Sequence, residues 1–265
     1  MADVQDRYDN PTSRDAALSS GVGLSDGYVE GGRRVEANHA WHWIAEGWRY
    51  FRRQPGLWVI LTLIFGAFLM ALKFVPVIGP LATILLVPVL AAGLISGCQT
   101  IERGGELELA HLFLGFRHNT GQLVLVGLIG FALTFAVMVP AVLLMGPSVF
   151  MAVMGGGGAT MVSMAGALGL LIALALFVPV NMALWFAPAL VILQGQSAPR
   201  AIAESFRGCL KNIVPFLIYG IALFVLAMLA SIPLGLGWLV LGPVVIGSVY
   251  AAYRDIYGAA RVSEP

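Results

Sequence analysis

Lys73 is the one ionisable side chain inside the long apolar stretches of this chain, and Asn181 is the most notable polar residue deep within one, with Trp185 a helical turn further on the same face. The chemistry open to them is narrow. A charge at the bilayer centre costs about 2.5–3.5 kcal/mol on insertion scales, which makes an intramembrane lysine a candidate for function. Lys73, however, lies three residues before Pro76 at the end of its stretch, where its stem can carry the ammonium out to the headgroups. Snorkelling is the favoured expectation, and a role in a polar cavity is the other. Asn181 follows Pro179, and a proline removes one backbone donor and frees a carbonyl one turn earlier. An asparagine there either bonds to that carbonyl or to a neighbouring helix, contacts worth about 0.6–2 kcal/mol, or lines a site at a broken helix of the transporter kind.

Other reactive patterns are thin. No Asp or Glu lies in an apolar stretch, and His39, His42, His111 and His118 all flank them. Proton relays use carboxylate or histidine at mid-membrane depth, so proton-coupled transport is not expected. His39 and His42 lack the Cys or carboxylate cluster that would complete a metal site, so no metal and no cofactor is expected. The run Gly155–Gly158 lacks the Lys-Ser/Thr of a phosphate loop and reads as a linker or shallow re-entrant segment. Cys98 and Cys209 read as small packing residues rather than a disulfide. These readings point to a protein that is not an enzyme and takes no nucleic acid.

The elements that hold these residues follow from composition. The chain is 59% hydrophobic and 11% charged, against about 25% charged residues in a soluble domain. Apart from Lys73, every charge lies in residues 1–53, 102–117, 200–211 or 254–264. Between them run Leu57–Val75, Leu81–Cys98, Gln122–Met145, Ala165–Leu193, Ile213–Ile232 and Leu236–Tyr253, near or above the roughly 20 residues that span a bilayer as a helix. Arginine and lysine occupy only alternate connections, so those connections and both termini are expected to face the cytoplasm. Residues 1–38, with seven acidic residues and four arginines, read as a disordered tail. Residues 39–258 form the membrane domain, and 259–265 a short C-terminal tail.

A pattern recurs three times in that domain. Each unit opens on a short amphipathic helix ending in Phe-Arg (Phe51-Arg52, Phe116-Arg117, Phe206-Arg207), followed by two spans, the second containing Pro88, Pro179 or Pro243. Phe51 to Pro88 and Phe206 to Pro243 are both 37 residues, the signature of internal repeats, with limits near 39–104, 105–195 and 196–258. The fold class is thus an all-α, six-span helical bundle of three pseudo-repeats. In the first short helix Trp41, Ile44, Trp48 and Phe51 make the apolar stripe and Glu46 lies opposite; the second uses Leu109, Leu112, Phe113 and Phe116, the third Ile202, Phe206 and Leu210. Such helices are expected in the inner headgroup plane, with Arg52, Arg117, Arg207, Arg254, Trp41 and Trp48 at the lipid headgroups. Trp43, Trp58, Tyr250, Tyr253 and Tyr257 read as an aromatic belt.

The run Trp43–Gly47, the loop Glu102–Gly104 through His111–Phe113, the segment Trp185–Ala189 and the ending Gly247–Asp255 resemble a family of uncharacterised bacterial inner-membrane proteins. The likeness covers roughly residues 40–258. More distantly the layout is similar to the membrane domain fused to some glycerophosphodiester phosphodiesterases, whose catalytic barrel this chain lacks. The resemblance implies an inner-membrane location and no activity. The leading expectation is a non-enzymatic protein engaging the lipid bilayer, a membrane-protein partner or a second copy at the cytoplasmic leaflet. The alternative is a facilitator or channel for a neutral or lipidic molecule, using Asn181, Trp185 and Lys73. A third, an enzyme acting on headgroups, requires Arg117, Arg207 or Arg254 to share a pocket with Glu102 or Asp255.

Overall fold

The computed structural model describes residues 28–76, 78–153 and 164–258. The run Gly155–Gly158, the first 27 residues of the expected tail and residues 259–265 lie outside the described residues. All regular structure among the described residues is helical: α1 (His39–Arg53), α2 (Pro55–Lys73), α3 (Ile78–Glu102), a 3-10 helix (Leu109–Phe116), α4 (Thr120–Val153), α5 (Met164–Trp185), α6 (Ala187–Gln194), α7 (Ala198–Lys211), α8 (Ile213–Ser231) and α9 (Trp238–Tyr257). Six stretches are long and apolar enough to cross a membrane: α2, α3, Thr120–Pro140 of α4, Leu171–Gln194 across α5 and α6, α8 and α9. Each coincides with an expected stretch.

The six are not equivalent. Only 11%, 22% and 17% of the apolar windows of α2, α4 and α8 are buried, against 39%, 44% and 61% for α3, α5–α6 and α9. The second group forms the core, through Val89–Leu90 and Leu94–Ile95 of α3, Ala187 and Ala189–Val191 of α6, and Val249–Tyr253 of α9. That core sits toward the charged end of the bundle. At the other end Phe74, Ile232 and Leu234 are 81%, 75% and 97% exposed, as side chains in hydrocarbon should be.

The short helices pack on this core through small residues. A Cβ on Gly47 of α1 would come within 2.2 Å of the Val244 carbonyl oxygen in α9, and one on Gly115 of the 3-10 helix within 2.2 Å of the Val89 carbonyl oxygen in α3. Only glycine permits either approach. The expected faces are corrected at Glu46, expected on the outer stripe, and at Phe51 and Leu112, all of them buried. Trp41 and Trp48 point outward, 62% and 44% exposed, while Trp43, Glu46, Gly47 and Tyr50 pack inward. Phe113 and Phe116 are likewise exposed. Where the surroundings of a helix are lipid, an apolar stripe does not mark the face that packs on protein.

Two further expectations change. The belt residues Trp43, Trp58, Tyr250, Tyr253 and Tyr257 are buried, because their polar atoms find partners inside. Trp43 Nε1 donates to Asp255 at 2.9 Å and Trp58 Nε1 to the Tyr50 carbonyl at 3.2 Å. The fourth span breaks at Phe186 rather than at Pro179, which α5 carries within its helix. Pro188 lies in the first turn of α6, where its missing N–H costs nothing. Ser205 of α7 bridges the break, accepting from the Phe186 N–H at 2.9 Å and donating to the Met182 carbonyl at 2.7 Å.

Residues 28–35, the described part of the expected tail before Glu36, are held by hydrogen bonds. They form a strap across the ends of α7, α8 and α9. The amides of Val29 and Arg33 donate to the carbonyls of Tyr257 and Ile256, both at 2.8 Å, satisfying acceptors that a helix C-terminus leaves open. Asn212 reads the strap backbone from both sides, donating to the Arg33 carbonyl at 2.9 Å and accepting from the Val35 N–H at 2.8 Å.

Candidate functional site

Four carboxylates gather beneath the strap and α1, each with donors. Glu46 of α1 is 7% exposed and faces Arg49 and, at 3.5 Å, Arg254. Arg254 of α9 also pairs with Glu102 of α3, which accepts from the Tyr250 hydroxyl at 2.5 Å. One guanidinium thus joins three helices. Asp255 takes Arg33 at 2.9 Å, His39 at 2.6 Å and Trp43. Glu204 of α7, 1% exposed, accepts from the Gly31 N–H and lies 3.4 Å from Arg207. Gly31 and Gly32 hold φ of +71° and +65° there, a left-handed turn that β-carbons would strain.

Burial controls the titrating groups of this layer outside the spans. It pushes the Tyr28 phenol up to about 12 and raises Tyr50. The Cys209 thiol is likewise pushed up to about 12, far from the range of a reactive thiolate. These groups are held neutral, and the carboxylates are spent on one another's partners. Among the described residues no group of three His, Cys, Asp or Glu could hold a metal ion.

Asn181 and Trp185 do come together. They line a cavity of about 300 Å³ between α5 and α8, with Phe177, Phe216, Tyr219 and Gly220 among its other walls. Asn181 Nδ2 donates to the Phe177 carbonyl at 2.8 Å, one turn back in its own helix. Trp185 Nε1 is buried without an acceptor. Lys73 is remote from this cavity, exposed in the last turn of α2. Arg52 and Arg117 are exposed, Arg207 has 63% of its side chain exposed, and Arg254 points inward. Arg254 and Glu102 therefore meet as an ion pair.

Sequence reasoning missed Glu46, Glu204 and Asn212 as structural anchors. The available signal was a carboxylate with small residues on its helical face, Ala201 and Gly208 around Glu204.

Six apolar helices around a charged end define an integral membrane protein. The chain is similar to a Burkholderia thailandensis protein named as a probable inner membrane protein, 29% identical over 264 residues that cover 87% of this chain and 95% of the relative. With the six spans, this supports an inner-membrane protein. No family model and no solved structure matches the chain.

Proposed function

We propose that this protein is a non-enzymatic inner-membrane bundle of three repeats, both termini cytoplasmic, whose charged end engages anionic lipid headgroups or a membrane-protein partner. The observation that carries this reading is what the short helices leave outside. Glu46, Glu102, Asp255 and Glu204 are internally paired, while Trp41, Trp48, Phe113, Phe116 and Leu210 are exposed at the same end as Arg52 and Arg117, and Arg207 keeps 63% of its side chain exposed while pairing with Glu204. Apolar side chains next to exposed cations match the boundary between acyl chains and anionic headgroups.

The packing supports three repeats. The 3-10 helix rests on α3, α7 on α5 and α6, and α1 on α9. Each short helix thus lies on the second span of the preceding unit, the first unit closing onto the last. Gly47 meets the residue after Pro243 and Gly115 the residue after Pro88, so the two short helices seat on the same turn of their spans, through glycines four residues before Phe51 and one before Phe116.

Co-flotation with vesicles containing phosphatidylglycerol, against neutral phosphatidylcholine, cannot report on an inserted protein. The test is therefore mass spectrometry of lipids and proteins retained in mild detergent. Anionic lipid or a protein partner should be enriched, and Arg52→Gln, Arg117→Gln and Arg207→Gln combined should reduce that enrichment. A preparation that reproducibly retains neither would count against the reading.

The shared cavity of Asn181 and Trp185 favours a second reading, a facilitator of a neutral or lipidic molecule. Cysteines placed across Val180–Leu184 should then react with water-soluble reagents, and uniform protection would remove it.

A further inference from the structure

Trp185 Nε1 is a buried donor with no acceptor, at the wall of a cavity. Leaving such a group unpaired costs about 1–3 kcal/mol, and folded proteins rarely do so without a water or ligand to meet it.

Gly220 points the same way. A glycine inside a helix costs about 1 kcal/mol relative to alanine, and Gly47 and Gly115 justify that cost by backbone contact. A Cβ on Gly220 would meet nothing within 4 Å. It lines the same cavity, and what its missing side chain provides is open space. Gly66, 15 residues beyond Phe51 as Gly220 is 14 beyond Phe206, repeats the device with nothing within 4 Å of its Cβ, whereas a Cβ on Gly130, 14 beyond Phe116, would come within 2.9 Å of the Leu184 side chain. Gly66 lines a cavity of about 340 Å³ between α2 and α9, and Gly130 one of about 540 Å³ between α3, α4 and α5.

We propose that the α5–α8 cavity binds one acyl chain of a membrane glycerolipid, its ester carbonyl accepting from Trp185 Nε1. Apart from Cys209 of α7, the walls belong to membrane spans and continue onto lipid-facing Phe177 and Val178, 40% and 52% exposed, so the cavity borders hydrocarbon. Its polarity is directional. Trp185, Cys209 and Phe216 lie toward the charged end of the bundle, and Phe177 and Leu223 lie deeper. A glycerolipid has the same order, carbonyl nearer the headgroup and tail toward mid-membrane. One polar anchor in an apolar cleft is the usual build of a site that orients a ligand. The site goes beyond headgroup engagement, since it reads the chain and not the phosphate.

The test uses the full chain in nanodiscs containing phosphatidylethanolamine with a diazirine in one acyl chain, irradiated and mapped by peptide mass spectrometry. Adducts should concentrate on 177–185 and 216–223 at the cavity walls. Gly220→Leu, which fills the space, should reduce them about tenfold while leaving adducts on lipid-facing Leu217 and Phe224 unchanged. Trp185→Phe should reduce them about threefold to tenfold, the span expected for one hydrogen bond, and carries the test should Gly220→Leu not fold. Arg52→Gln, Arg117→Gln and Arg207→Gln combined should leave these adducts unchanged, which separates this site from the proposed headgroup surface. Adducts spread evenly over lipid-facing residues, or cavity adducts indifferent to both cavity variants, would overturn the proposal.

Discussion

The inner helices α3, α6 and α9 and the outer helices α2 and α8 solve different problems with similar hydropathy. The outer pair is 2.2 and 2.6 in mean hydropathy, while α3 is 2.3 and α9 only 1.3. Hydropathy therefore does not rank burial: the most buried span is the least apolar. In a bilayer, lipid competes equally for apolar side chains, so helices associate through close packing and polar contacts instead. α9 has both, in Gly247 against Gly47 and in the Ser248 hydroxyl 2.6 Å from Tyr219, and it ends in the charges that tie α1 and α3 together.

If the inner group is held by its polar layer, breaking that layer should have a large effect. Arg254→Ala strips the guanidinium from between Glu46 and Glu102. Removing one partner of a fully buried pair costs about 3–5 kcal/mol; with Arg254 and Glu102 only partly buried, thermal unfolding in detergent should show a loss of about 2 kcal/mol, part of it recovered by adding Glu102→Gln. An effect below about 1 kcal/mol would mean that the layer does not hold the core.

Close packing is the second support. Gly47→Ala drives a methyl group into the Val244 carbonyl and should cost about 2 kcal/mol by overpacking. Gly66→Ala in α2, with nothing within 4 Å of its Cβ, should be neutral or stabilise by up to about 1 kcal/mol. Equal losses at both positions would erase the distinction between inner and outer helices.

The strap extends the inner group beyond the membrane. Asn212→Ala removes both contacts to its backbone together with the bond to the Gly208 carbonyl at 2.9 Å. A cost of about 2 kcal/mol should appear as trypsin cleavage after Arg33 and Arg34 at least several-fold faster than in wild type. Unchanged cleavage would show that Asn212 does not restrain the segment.

Six spans were legible in the sequence because continuous apolar length is a local property that lipid does not disguise. The inward faces were not, because periodicity reports contrast with water. Trp41 and Trp43 carry the same side chain two residues apart, yet one faces out and the other donates to Asp255. Asn181 and Trp185 were legible as a pair since four residues in one helix share a face. The break at Phe186 and the strap depended on Ser205 and Asn212, partners 19 and 177 residues from the backbone amides they accept from. Composition could not separate residues 28–35 from the rest of the tail, because their order comes from backbone amides meeting a distant helix end.

Lys73 gives the smallest expected effect and the sharpest check on the outer helices. It lies exposed in the last turn of α2, beside Phe74 at 81% exposure. A cation there is favoured by the helix dipole, by about 0.3–1 kcal/mol where exposed, and its stem covers apolar surface either as Lys or as Met. Lys73→Met should therefore change thermal stability by less than about 0.5 kcal/mol, as substitutions on exposed surface do, and leave acyl-chain adducts at 177–185 untouched. A loss above about 1 kcal/mol would place the ammonium in a polar cavity, and α2 would then bury a charge as the inner helices do.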